Sequence, residues 1–333
     1  MFRVGSLNIA VILCFVSAAF PGTPPRSAPT GPILAWAQLN PSTPPSPRLA
    51  PSMAYDPVSA KVVLFGGFDG NQYLNDTWTF DGKVWTKLSP RTAPPVRTAA
   101  SMAFDTVSQK LVLFGGYNGS KYLGDTWLWD GATSTWTSTS PHAHPVASTS
   151  PMLFTDPKNG HVDEFGGFDG RLYQLETWQW MGSTWQQLNP PDFPSARSSA
   201  VVSSDPITNT VVLFAGLADV NPHNTWTWDG TDWTLQSPSN QPANRYSAAG
   251  AFHPAVGGVV AFGGGSGGTD LNDTWVWADG NWIQANAIQS PPPREAFGMA
   301  YDPVRGTIVI FGGLDGDQLL NDTWVLITAK NTK

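Results

Sequence analysis

The stretch Val63-Leu64-Phe65-Gly66-Gly67, a short polar loop and then Asn75-Asp76-Thr77-Trp78 decides the fold, because the chain keeps returning to it. It recurs as Leu113-Phe114-Gly115-Gly116 with Asp125-Thr126-Trp127, and again around Trp178, Trp226, Trp275 and Trp324. These six tryptophans are separated by 49, 51, 48, 49 and 49 residues. A period near fifty that carries a double glycine and a tryptophan marks a repeat architecture, in which each unit buries its apolar face only against its neighbours.

Within one unit the pattern predicts four strands. Residues 51–55 form the first and end in the turn Asp56-Pro57-Val58-Ser59. Residues 61–65 are nearly continuously apolar, as in a strand buried on both faces. Residues 77–80 form the third, Asp81-Gly82 turns the chain, and residues 84–88 form the fourth. The first turn recurs at Asp105, Asp156, Asp205 and Asp302, with His253-Pro254 in its place once. Residues 33–39 read as a fourth strand without its first three: Trp36 lies 49 residues before Trp85. The last copy stops at Val325-Leu326-Ile327 without a fourth strand of its own. An open array would leave two sheet edges free to aggregate, whereas pairing residues 33–39 with the last copy satisfies both. The expected fold is therefore all-β, a six-bladed propeller of four antiparallel strands per blade, closed by the N-terminal strand.

The unit looks like the kelch motif, carried by Val62-Val63-Leu64-Phe65-Gly66-Gly67, Asn75-Asp76-Thr77-Trp78 and Trp85, and the resemblance spans residues 33–328. It implies a propeller similar to the central domain of galactose oxidase-like proteins. Kelch propellers mostly bind proteins or carbohydrates, and a minority are enzymes.

Composition narrows the possibilities. The 333 residues carry a formal net charge of −7 with no basic footprint, so nucleic acid is not an expected partner. Arg3, the apolar run over residues 9–16 and the small residues Ser17-Ala18-Ala19 read as a signal peptide over residues 1–20. A retained anchor is the alternative. Residues 21–32 read as a Pro-rich linker, and residues 33–329 as one propeller domain. The expectation is an exported monomer, secreted or periplasmic, with no membrane span after cleavage. Its only cysteine, Cys14, lies in the leader, so the mature chain has no disulfide or thiolate chemistry. That also excludes the copper-radical activity of galactose oxidase, which needs a cysteine crosslinked to tyrosine.

The repeated residues read as structural. All 16 tryptophans fall on three repeat positions. These are Trp78, Trp127, Trp178, Trp226, Trp275 and Trp324; Trp129, Trp180, Trp228 and Trp277; and Trp36, Trp85, Trp136, Trp185, Trp233 and Trp282. A ligand site needs a few residues on one face, so such periodicity predicts blade-to-blade packing. The second glycine is invariant (Gly67, Gly116, Gly167, Gly216, Gly264, Gly313), whereas the first is Ala215 in the fourth copy. A positive φ or a close backbone approach is expected at the second position. Arg48, Arg97, Arg197, Arg245 and Arg294 precede the first strands, with Ala147 in the third copy. The residue before Thr-Trp is Asp76, Asp125, Glu176, Asn224, Asp273 or Asp322. Because the copy after the missing arginine lacks the acid, each arginine is expected to pair with the acid of the following blade.

Function is expected in the loops between strands two and three, on the face shared with the connections between blades. They span residues 68–75, 117–124, 168–175, 217–223, 265–272 and 314–321. Phe68, Tyr73, Tyr117, Tyr122, Phe168 and Tyr173 concentrate in the first three, and His223 lies in the fourth. These seven are the candidate ligand-binding residues for a protein or glycan. An aromatic half-rim suits either; the competing reading is that the tyrosines cover loop backbone. No catalytic residue, metal site or cofactor is assigned. His142 and His144 lack a completing ligand, and Asp69, Asp169 and Asp315 precede glycines as ordinary turn residues. The alternative is a carbohydrate-active propeller, sialic-acid epimerase-like or mutarotase-like, with loop acids and arginines converging at the central channel.

Overall fold

The computed structural model describes residues 33–329. The leader and linker expected before residue 33 lie outside them. No helix among the described residues is long and apolar enough to cross a membrane.

Six four-stranded antiparallel sheets form the ring. In the first blade the strands are Ser52–Asp56, Lys61–Phe68, Tyr73–Phe80 and Trp85–Leu88, in that spatial order. The last blade is closed as expected. Ile33–Leu39 pairs with Thr323–Ala329 in an unbroken register that sets Trp36 opposite Leu326.

The first strands line the axis, and the second strands carry the core. Val62, Val63, Leu64 and Phe65 have no exposed surface, because one side of this strand faces the preceding blade and the other the following one. The fourth-strand tryptophans lock the seams. Each indole Nε1 donates to the threonine hydroxyl of the preceding blade's Thr-Trp pair: Trp136 to Thr77 at 3.0 Å, Trp185 to Thr126 at 2.9 Å, Trp233 to Thr177 at 3.0 Å and Trp282 to Thr225 at 2.9 Å. The same bond crosses the closure, from Trp36 to Thr274 at 3.1 Å and from Trp85 to Thr323 at 3.0 Å. The recurring threonine is thus the acceptor that fixes each blade to the next.

The double glycine makes a second circuit. Gly67 N–H donates to the Arg97 carbonyl of the next blade at 2.9 Å, and all six copies repeat this, ending with Gly313 on Arg48 at 2.9 Å. A side chain at Gly216 would be strained twice. Its φ is +114°, and a Cβ would lie 2.6 Å from the Ser198 carbonyl oxygen. Ala215, at φ 59°, sits in the left-handed helical region that a non-glycine residue can adopt. A third circuit surrounds the channel mouth. Ala50, Ala99, Ser150, Ser199, Ser247 and Ala296 all have φ between 44° and 55°, and the N–H of each donates to its counterpart's carbonyl in the preceding blade.

Candidate binding face

Antiparallel pairing places the start of each first strand, the end of each second strand and the inter-blade connections on one face. The long loops on this face are largely continuations of the sheet rather than irregular segments. In the first blade the second and third strands resume pairing beyond a bulge at Phe65/Gly67, which brings Phe68 opposite Tyr73. Tyr117 pairs with Tyr122, and Phe168 with Tyr173, in the same way. Each candidate aromatic pair is therefore a cross-strand pair on a hairpin tip, where side chains stand side by side on one surface.

The three tips join into one ladder. Ring centroids lie 4.8 Å apart for Phe68–Tyr73, 5.7 Å for Tyr73–Tyr117, 5.1 Å for Tyr117–Tyr122, 6.2 Å for Tyr122–Phe168 and 4.9 Å for Phe168–Tyr173. All six rings are half-buried. One reason is that Tyr73 lies against Gly119 and Tyr122 against Gly170 of the next blade's loop, where a side chain would clash. The tyrosines thus cover loop backbone and still present an aromatic strip. Leu172, Leu175, Leu217 and Val220 are exposed apolar residues of the third and fourth loops.

His223 does not join the strip. Its Nε2 lies 2.7 Å from the Pro242 carbonyl oxygen and its ring packs edge-on to Phe214. The opposite side of the face is different in character. Gly265 and Asp270 replace the aromatic pair in blade five, and the Asp270 carboxylate accepts from Gly316 N–H at 2.7 Å.

The arginines do not reach this surface. Arg48 donates through Nη1 to the Gly66 carbonyl at 2.9 Å and binds both Asp76 oxygens, at 2.6 and 3.0 Å. Arg97–Asp125, Arg245–Asp273 and Arg294–Asp322 repeat the arrangement. Each arginine therefore pairs within its own blade, which overturns the expected pairing with the following blade: the guanidinium is also bonded to the carbonyl of its own blade's first glycine, or of Ala215 in the fourth. Arg197 meets the neutral Asn224 Oδ1 at 2.9 Å, and burial pulls its guanidinium down to about 10. Burial would raise the Asp76 carboxyl, but the Arg48 hydrogen bonds and charge outweigh it and hold the group below its ordinary range.

The third blade departs from the pattern at its centre. The residue in register with the arginines is Ser148, not Ala147: Gly116 N–H donates to the Ser148 carbonyl at 2.7 Å, as Gly67 does to Arg97. Its second strand, Val162–Phe165, carries Asp163 and Glu164 where the other blades are apolar. Burial pushes Asp163 up to about 7, and it accepts from Gln179 Nε2 at 2.8 Å and from Trp228 Nε1 of the next blade at 2.9 Å. Burial and then the Glu176 charge push Glu164 well above the ordinary carboxyl range. Reading by glycines and tryptophans passes over both acids; aligning the second strands would have exposed them, since Val63, Val112, Val212, Val260 and Val309 occupy the position of Asp163.

Two recesses lie on the axis. The one on the long-loop face, of about 250 Å³, is lined by small and apolar residues such as Ala50, Ser150, Ser199 and Met102. The one on the tight-turn face, of about 400 Å³, includes Tyr55, Phe104, Phe252 and Tyr301, an aromatic lining not anticipated for that side.

A family model described as the KLHDC2/KLHL20/DRC7 Kelch-repeats domain matches residues 33–216. No match to a curated protein is found.

Proposed function

The chain belongs to the kelch-repeat family, and from that membership we propose that it is an exported, non-catalytic propeller that binds a polypeptide on the aromatic half of its long-loop face. Kelch propellers generally act as protein-binding modules, which is the coarse function the family carries. The observation behind the finer reading is the continuous ladder from Phe68 to Tyr173, flanked by exposed Leu172, Leu175 and Val220. Rigid aromatic anchors beside exposed aliphatic side chains suit a polypeptide surface, since aromatic residues dominate interface energetics at low entropic cost. A glycan is the second reading and rests on the same rings, with the tilted rather than parallel pairs less suited to stacking a flat sugar face. Four of the five first-strand arginines are consumed in ion pairs within their own blades, and the channel recess on that face is lined by residues such as alanine, serine and methionine. These features favour binding over the epimerase-like or mutarotase-like alternative. Export rests on the leader read in the sequence.

Panning a random peptide library and a glycan array against the full chain tests the proposal. Selected peptides are expected to lose about 2 kcal/mol, roughly thirtyfold in affinity, when Tyr73→Ala and Tyr122→Ala are combined. Binders indifferent to both changes would overturn the location, and glycan binders without peptide binders would overturn the ligand class.

A further inference from the structure

Five blades internalise a guanidinium between the first glycine's carbonyl and the acid before Thr-Trp, with Asn224 standing for the acid in one of them. The third blade keeps the acceptors and lacks the cation. It retains the Gly166 carbonyl and Glu176, but its arginine position is Ser148. The serine side chain points the way the arginines do. A Cβ placed on Gly167 would lie 2.6 Å from Ser148 Oγ, and one on Gly67 would lie 3.3 Å from Arg48 Cδ. Ser148 is completely buried, and its Oγ has no hydrogen-bond partner. An unpaired buried hydroxyl is costly unless something satisfies it.

A second acid stands beside this position. Glu164 is 2% exposed and pairs across the sheet with Trp178, two residues from Glu176 and on the same side of the sheet. In the other blades this position is Leu64, Leu113, Leu213, Ala261 or Ile310. Among the described residues no ion pair reaches either carboxylate. Two carboxyl groups, a carbonyl and a hydroxyl form an all-oxygen donor set. That chemistry selects a hard divalent cation over one that prefers nitrogen or sulfur ligands.

We propose that the third blade binds a calcium-class divalent cation between Glu164, Glu176, the Gly166 carbonyl and Ser148 Oγ, in place of the arginine that the other blades carry.

Terbium luminescence of the full chain tests this, because Trp178 lies beside the site and can sensitise a bound lanthanide. Saturable emission on tryptophan excitation, displaced by Ca²⁺, is expected, together with a higher melting temperature in Ca²⁺ than in EDTA. Glu164→Gln and Glu176→Gln should each weaken the metal by about tenfold or more. Ser148→Arg should abolish the emission while unfolding stays cooperative, since it supplies the guanidinium in cis; should that variant not fold, the two glutamines decide. Absence of both emission and calcium-dependent stabilisation in the unmodified chain would overturn the site. So would emission that survives the two glutamine substitutions, which would place the metal elsewhere, as at the exposed Asp169 loop.

Discussion

Trp185→Ala is expected to lower the unfolding free energy by about 4–5 kcal/mol, a large part of the roughly 5–15 kcal/mol that holds a typical domain together. Trp185 is 1% exposed and sits in the seam between the second and third blades with Val112, Phe114, Leu153 and Val162. Its ring meets Phe114 at 5.6 Å and Trp180 at 5.4 Å. Truncation removes these contacts, leaves a cavity that a rigid sheet seam cannot close, and strips Thr126 Oγ1 of its donor. Trp185→Phe keeps much of the ring contact and loses only the hydrogen bond and some volume, so a cost of about 1–3 kcal/mol is expected. Urea unfolding of both variants checks this. Equal costs for the two would show that the indole N–H, not packing, dominates the seam.

Arg48→Ala is expected to cost about 3–5 kcal/mol at neutral pH. The guanidinium is 1% exposed, and its loss leaves the Gly66 carbonyl without its side-chain donor and the Asp76 carboxylate with the Trp78 indole N–H but no counter-ion. The pH dependence follows from the same pair. Asp76 titrates below its ordinary value when folded, so its contribution is present above about pH 4, the unfolded value, and is lost as the pH falls through the lower folded value. The acid limb of stability should therefore be shallower in Arg48→Ala. The reverse change should help elsewhere. Asn224→Asp gives the buried Arg197 the counter-ion that four other blades already have, and a gain of about 1–2 kcal/mol at pH 7 is expected. Thermal unfolding of both variants across pH is the measurement. An Asn224→Asp that destabilises would contradict the reading of this position as an incomplete ion pair.

The architecture was legible because its signals repeat. Trp36 kept the repeat spacing although no double glycine precedes it, and that one residue identified the closing strand, whose partner is Thr323–Ala329. The aromatic pairs were legible as residues but not as geometry. Phe68 and Tyr73, Tyr117 and Tyr122, and Phe168 and Tyr173 are each five apart, the spacing of a hairpin resumed after the glycines, which a loop reading does not reveal. The arginine partners are not legible in the sequence for two physical reasons. A one-residue difference in the third connection hid Ser148 behind Ala147, and sequence periodicity cannot say which of two adjacent blades a long side chain turns toward. Asn224 marks a neutral partner in its own blade, not the echo of a missing arginine in the one before. Likewise, His223 lies in the corresponding loop of the fourth blade, but its ring is held by Pro242 and lies off the strip.

The aromatic half-rim as docking surface is tested most directly by hydrogen exchange of the full chain, with and without a peptide selected against it. Slowed exchange is expected across residues 68–75, 117–124 and 168–175, with residues 265–272 unchanged. Protection centred instead on the tight-turn recess around Tyr55, Phe104, Phe252 and Tyr301 would contradict it.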